Sequence, residues 1–105
     1  MKMIAVTSCP VGMAHTYMAS KALKQAAEAA GAEIKVETQG SMGIRDKITK
    51  DEIEAADVFI MSADVAMIEG ERFDGLLTVK TTTAKLIRKA EDIVQEAIEL
   101  FENNK

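Results

Sequence analysis

Two short runs in this chain are apolar at every position: Met3-Ile4-Ala5-Val6 and Val58-Phe59-Ile60-Met61. A strand with one face in water alternates apolar and polar residues, so an unbroken apolar run marks a strand covered on both faces. Such strands belong in the middle of a parallel sheet with helices packed above and below.

The remaining pattern fills in around these strands. Between residues 14 and 30, Ala19, Ala22, Leu23, Ala26, Ala27 and Ala30 recur at helical spacing, and Gly31 supplies a C-terminal stop. Ile34, Val36 and Thr38 alternate with Glu33, Lys35 and Glu37, which predicts a strand with one face less covered. Gln39-Gly40-Ser41-Met42-Gly43 reads as a loop. Thr49-Lys50-Asp51-Glu52 has the form of a capping box, with Ile48 and Ile53 spaced as a hydrophobic staple, and predicts a short helix to Ala56. Residues 76–79 form a last short strand, and Thr81 to Thr83 offer N-caps. Leu86, Ile87, Ala90, Ile93, Val94, Ala97, Ile98 and Phe101 then make the apolar stripe of a closing helix.

The order β-α-β-α-β-loop-β-α predicts an α/β fold: an open four-stranded parallel sheet with helices on both faces, Rossmann-like. The uniformly apolar strands take the middle and the other two the edges. Right-handed crossovers then set the strand order 2-1-3-4. Winding reverses between the first and third strands, and ligands in such sheets bind beyond the carboxyl ends at that reversal. Cys9 follows the first of these strands and Ser62-Ala63-Asp64 follows the third, so topology alone nominates this place.

At 105 residues the chain is a single domain, 1–105, long enough to build a core without staples. Its apolar runs fall far short of the roughly 20 residues of a membrane span, and the N-terminus reads as a core strand rather than a signal peptide. A lone cysteine cannot form an internal disulfide, which implies a cytosolic setting and a free thiol. A net charge of −4 argues against general nucleic-acid binding. The charge is also uneven: all 17 acids lie at or beyond Glu28, while Lys2, Lys21 and Lys24 precede it. The functional reading is that an incoming anion meets no local repulsion near Cys9; the plain one is chance in an alanine-rich helix.

Cys9 falls where the first strand ends and the first helix is about to begin. Unpaired N–H groups at a helix N-terminus favour negative charge, bind phosphate and lower a thiol pKa. Pro10 shapes the loop, and Gly12 lets the backbone turn or approach an anion closely. The N–H groups of Val11, Gly12, Met13, Ala14, His15 and Thr16 are the candidate phosphate-binding groups around a Cys9 nucleophile. The competing plain reading is an inert cysteine closing a strand.

Two further chemistries are weighed on the same residues. A Cys-x5-Arg loop hydrolyses phosphotyrosine with its arginine clamping the phosphoryl group. Here the sixth residue after Cys9 is His15, and no arginine precedes Arg45. The loop is thus better suited to holding a phosphoryl group than to hydrolysing it. Asp64 or Asp74 remains available as a general acid, so a Cys-loop phosphatase stays an alternative, as does a non-catalytic regulatory anion-binding module. Disulfide exchange is weaker, because no second cysteine exists to resolve a mixed disulfide.

Cys9-Pro10-Val11-Gly12-Met13-Ala14-His15-Thr16-Tyr17-Met18-Ala19 closely resembles the phosphorylation loop of fructose-type enzyme IIB components, fructose-specific or fructose-like. These belong to the bacterial phosphoenolpyruvate-dependent sugar phosphotransferase system. Lys35-Val36-Glu37-Thr38-Gln39-Gly40-Ser41 resembles the family's second characteristic stretch, and Ala56-Asp57-Val58 through Ala63-Asp64, with Glu71-Arg72-Phe73, a third. The similarity runs from the first strand to about Val79; the final helix matches in general character only. Val11 stands where the family commonly carries Thr, Met13 replaces a usual Ile, and Ile44-Arg45-Asp46-Lys47 is more charged than the family pattern. These departures bear on the sugar and partner more than on the phosphocysteine chemistry.

The resemblance implies a protein-phosphocysteine–sugar phosphotransferase, a single IIB domain acting in a relay. An enzyme IIA phosphohistidine gives its phosphoryl group to Cys9, which passes it to fructose or a related sugar bound in a membrane enzyme IIC. No cofactor, metal or nucleotide is expected, nor direct membrane insertion. The expected location is cytoplasmic, at the inner face of the membrane through enzyme IIC. Met1 and the polar tail favour a stand-alone subunit. Gln39 and Ser41 either reach the loop or are ordinary turn residues, and Asp64 either orients the loop or caps. Arg72 is read as a surface ion pair rather than a phosphate contact. His15 is read as a helix-start residue offering its N–H rather than as the phosphate carrier. Met13, Tyr17 and Met18 suggest an exposed docking surface, with core packing the alternative for Met18.

Overall fold

The computed structural model describes residues 1–8, 13–40, 43–63, 67 and 69–104. In order, these form β1 (Lys2–Ser8), α1 (Met13–Ala29), β2 (Glu33–Gly40), β3 (Gly43–Arg45), α2 (Lys50–Ala55) and β4 (Val58–Ala63), then a 3-10 turn (Gly70–Phe73), β5 (Thr78–Thr81) and α3 (Thr83–Asn103). The sheet order is β3-β2-β1-β4-β5. β1 pairs in parallel with β2 and β4, and β4 with β5. The four parallel strands keep the order expected from patterning, with the two uniformly apolar segments side by side at the centre.

β3 departs from that expectation. The loop read over residues 39–43 is shorter, because β2 runs through Gly40 and β3 starts at Gly43 and pairs antiparallel with β2. The sheet is therefore five-stranded and mixed rather than four-stranded and all parallel. Gly43 adopts a φ of 95°, a conformation glycine reaches without strain. The antiparallel pairing satisfies backbone groups that an edge strand leaves open. β2 is thus an interior strand, and the carboxyl end of its acid-bearing face, at Glu37 and Gln39, is buried.

The two faces of the sheet carry unequal layers. Met3, Ala5, Val36, Val58, Ile60 and Val79 point to one side, where they meet Ala19, Leu23 and Ala26 of α1 and Leu86, Ile93, Val94 and Ala97 of α3. On the other side Ile4, Val6 and Phe59 pack with Ile48 and Phe73, and Ile53 of α2 leans against them. Phe59 and Phe73 stack with ring centroids 4.3 Å apart. Two long helices cover the first face, while one short helix and a 3-10 turn cover the second.

Local signals account for the ends of these elements. At the end of α1, Gly31 takes a φ of 76°, Gly31 N–H donates to Glu28 (3.0 Å) and Ala32 N–H donates to Ala27 (2.9 Å), the paired bonds of a Schellman stop. Thr49 caps α2 as the spacing predicts: its Oγ1 accepts from Glu52 N–H (3.1 Å), and Thr49 N–H donates to Glu52 Oε1 (2.9 Å). That bond from Thr49, chiefly, holds the Glu52 carboxyl below its ordinary pKa. Thr82, among the three candidate caps, opens α3 by accepting from Lys85 N–H (3.2 Å). The last strand lies at residues 78–81, two residues later than the apolar pattern suggests.

Because α2 has only six residues, its cap carries much of its stability. Thr49→Ala is expected to lower the unfolding free energy by about 1 kcal/mol. In thermal denaturation followed by circular dichroism this reads as a midpoint drop of roughly 4–8 °C.

Candidate functional site

β1 ends level with its two neighbours. Ser8 pairs with Gln39 of β2 on one side and with Ala63 of β4 on the other. Since β2 and β4 flank β1 on opposite sides, winding reverses between β1 and β4 at this end of the sheet. α1 begins at Met13 and carries no acid in its first turn, so its exposed N–H groups and helix dipole favour an anion. Cys9, Ser41 and Asp64 each follow one of these strand ends by one or two residues in the chain. Cys9, Pro10, Val11, Gly12, Ser41 and Asp64 themselves lie outside the described residues. Met13, Ala14, His15 and Thr16 form the first turn of α1.

Gln39 is only 1% exposed, so it is no ordinary turn residue. Its Nε2 donates to Glu37 Oε2 at 2.8 Å. Glu37 is fully buried, and Arg72 grips it with two parallel bonds, Nη1 to Oε1 at 3.0 Å and Nη2 to Oε2 at 2.9 Å. Ile48 N–H donates to Oε1 at 2.9 Å. Each carboxylate oxygen thus accepts two hydrogen bonds, which fills the acceptor capacity of the group. Burial pushes the Glu37 carboxyl up, but the Arg72, Gln39 and Ile48 bonds outweigh it and hold the pKa below the ordinary value.

Arg72 is fixed from three directions. Its Nε donates to the Glu69 carbonyl at 2.8 Å, and its guanidinium lies 4.7 Å from the centroid of the Phe73 ring. The Glu37 bonds, above all, raise its pKa. The expectation of a surface ion pair is corrected: this pair is bidentate, with one partner completely enclosed. Alternation alone assigns Glu37 to the less covered face, because no local pattern shows that Ile48 and Arg72 meet there. The available signal is period-two spacing, which puts Glu37 on one face with Gln39 next to the nominated strand end.

On the other face of the sheet end, Ser62 Oγ and Thr83 Oγ1 lie 3.2 Å apart in the interior. The buried hydroxyls of Thr7 and Thr81 have no hydrogen-bond partner among the described residues. Tyr17 and Met18 near the start of α1 are 67% and 49% exposed, which answers the core alternative for Met18. Among the described residues no helix is long and apolar enough to cross a membrane.

Residues 4–96 match the sequence family described as PTS system, Lactose/Cellobiose specific IIB subunit. The chain is 46% identical over all 105 residues to the fructose-specific EIIB component of Haloferax volcanii, of whose length it spans 66%. It is 43% identical over 95 residues to the fructose-like EIIB component 2 of Escherichia coli strain K12, covering 90% of each chain. A solved domain from the fructose-specific IIABC component of Borrelia burgdorferi superposes with a TM-score of 0.87 at 44% identity, covering 93% of both chains. The family match spans nearly the whole chain, the solved domain shares its fold, and each of these relatives shares more than two-fifths of the aligned residues. This chain belongs to the enzyme IIB family of the sugar phosphotransferase system, among its fructose-type members.

Proposed function

We propose that this chain carries a phosphoryl group on Cys9. It takes the group from a phosphohistidine of an enzyme IIA partner and gives it to fructose or a related sugar bound in a membrane enzyme IIC. One observation carries most of the reading. The strand that ends just before Cys9 is the central one, at the reversal of winding, and the helix that follows opens without an acid. A thiolate in such a place is stabilised by the N–H groups that would also hold a phosphoryl dianion.

In the first step the Cys9 sulfur attacks phosphorus, the P–N bond of the donor breaks, and the freed imidazole takes up a proton. In the second, a sugar hydroxyl oxygen attacks phosphorus, the S–P bond breaks, and the hydroxyl proton is lost. The thiolate suits both, as a strong nucleophile and a competent leaving group. Val11, Gly12, Met13, Ala14, His15 and Thr16 hold the phosphoryl oxygens, mainly through main-chain N–H groups, and Gln39, Ser41 and Asp64 support the loop. The exposed Tyr17 and Met18 give a partner an apolar surface beside this loop. The reaction enlists no metal or nucleotide. Residues 1–105 act as one domain, on the cytoplasmic side of the membrane and held there through enzyme IIC. The naming of a structural relative as part of a IIABC component supports donor and acceptor modules working with a IIB domain.

The test is reconstitution with phosphoenolpyruvate, the general phosphotransferase proteins and an enzyme IIA, followed by mass spectrometry. The expected result is one phosphoryl group, mapped to the peptide containing Cys9 and discharged on adding enzyme IIC with sugar. A phosphoryl group on His15, or none on this chain, overturns the proposal.

A further inference from the structure

We infer that the Glu37–Arg72 ion pair is a positioning device for phosphoryl transfer, holding the Gln39 amide in one orientation beside the end of β1. The inference rests on the phosphocysteine reading and adds residues to it. Its starting point is a physical oddity. A charge taken wholly out of water is expensive, and an apolar pair of similar volume often serves stability equally well or better. Apolar packing already fills this side of the sheet around Ile4, Val6, Phe59 and Phe73. A buried carboxylate at its carboxyl end therefore calls for a reason other than stability.

The hydrogen-bond inventory supplies that reason. Held ionised, the Glu37 carboxylate can only accept, so the group facing it from Gln39 must be the amide nitrogen. The Gln39 carbonyl oxygen is thereby turned away from Glu37. Both residues stand on the β2 face shared with Val6 and Ser8, and Gln39 is paired with Ser8, the residue before Cys9. Without Glu37 the amide could turn over and exchange donor for acceptor at that spot.

Arg72 makes the arrangement rigid across the site. It reaches Glu37 on β2 from the 3-10 turn, and its neighbour Phe73 stacks on Phe59 of β4. The pair thus couples the strands on the two sides of β1. Transfer between a donor and a thiolate depends steeply on the placement of the reacting atoms, so a loosened supporting residue lowers the rate without touching the substrate.

The experiment measures phosphoryl acceptance from phosphorylated enzyme IIA by the wild type, by the double variant Glu37→Leu with Arg72→Met, by Gln39→Ala, and by all three substitutions together. The apolar double variant is expected to fold with a thermal midpoint below that of the wild type but above that of Glu37→Ala, because no charge is left buried while Gln39 Nε2 and Ile48 N–H lose an acceptor. Its kcat should fall about 10- to 100-fold, with KM for the donor within about twofold, since the pair is inferred to act through Gln39 and not on the donor. Gln39→Ala alone should cause a similar fall, but add less than about twofold in the double-variant background. A wild-type kcat in the double variant, or fully additive effects of Gln39→Ala, overturns the inference.

Arg72→Lys gives an independent check should the double variant not fold. It keeps the charge but loses the fork, so its kcat should fall several-fold at an unchanged KM, and a wild-type kcat overturns the inference. Phosphoryl mapping in the same samples separates the two readings. Label away from Cys9 removes the phosphocysteine proposal, whereas label on Cys9 with undiminished variants removes only the positioning role.

Discussion

Replacing Cys9 by serine is expected to lower phosphoryl acceptance at least about 10³-fold while leaving the fold intact. The two side chains differ by one atom, so packing at the end of β1 changes little. Chemistry changes a great deal. A thiol near a helix N-terminus is substantially ionised at neutral pH. A serine hydroxyl there stays protonated and needs an adjacent general base to become a nucleophile. A serine that did accept the group would also hold it, because an alkoxide is a far poorer leaving group than a thiolate. The measurement is transfer of labelled phosphoryl from enzyme IIA, with circular dichroism as the folding control. Acceptance by the serine variant within tenfold of the wild type would place the phosphoryl group elsewhere.

Glu37→Ala is expected to be the most destabilising substitution of a polar residue in the described part of the chain. Removing one member of a buried pair leaves the other uncompensated, which costs about 3–5 kcal/mol. For a domain of this size that is a large share of total stability and corresponds to a midpoint drop of roughly 15–30 °C. Glu37→Gln should also be strongly destabilising despite its matching shape, because its amide nitrogen would face the donors of Arg72, Gln39 or Ile48. The contrast with the leucine–methionine pair is the informative one. Loss in the single variants and partial recovery in the double would show that unpaired charge, not lost volume, is responsible.

The same carboxylate ties stability to pH. An unfolded Glu titrates near about 4.3, whereas Glu37 in the folded state titrates lower, held there by Arg72, Gln39 and Ile48 against the opposing effect of burial. Between those two values the unfolded chain binds more protons than the folded one. The stabilisation is therefore fully present above about 4.3 and drains away as pH falls through the folded pKa. Urea unfolding from pH 7 down to pH 3 should show this slope in the wild type and a flatter one in Glu37→Gln.

Much of the architecture was legible before any coordinates. The uniform apolarity of residues 3–6 and 58–61 put two strands at the centre, and chirality of the crossovers then ordered all four parallel strands. Thr49 and Gly31 announced their elements correctly because caps are local: every bond they make lies within five residues. The stripe on α3 was legible for the same reason, as burial of one helix face repeats at a fixed period. The reversal of winding that nominates the site followed from strand order alone, since it is a property of connectivity.

What the sequence alone determined is therefore the layered α/β fold and the central place of β1, the strand that Cys9 follows in the chain. Only the tertiary structure decided the fate of Glu37. Alternation along a strand reports which side chains share a face, not whether that face is covered. Ile48 and the 3-10 turn together closed the carboxyl end of that face, bringing Arg72 to a carboxylate 35 positions away in the chain. Local pattern carries no information about such a meeting. It arises because a buried carboxylate must find compensating donors, and the folded backbone offered them from three separate segments.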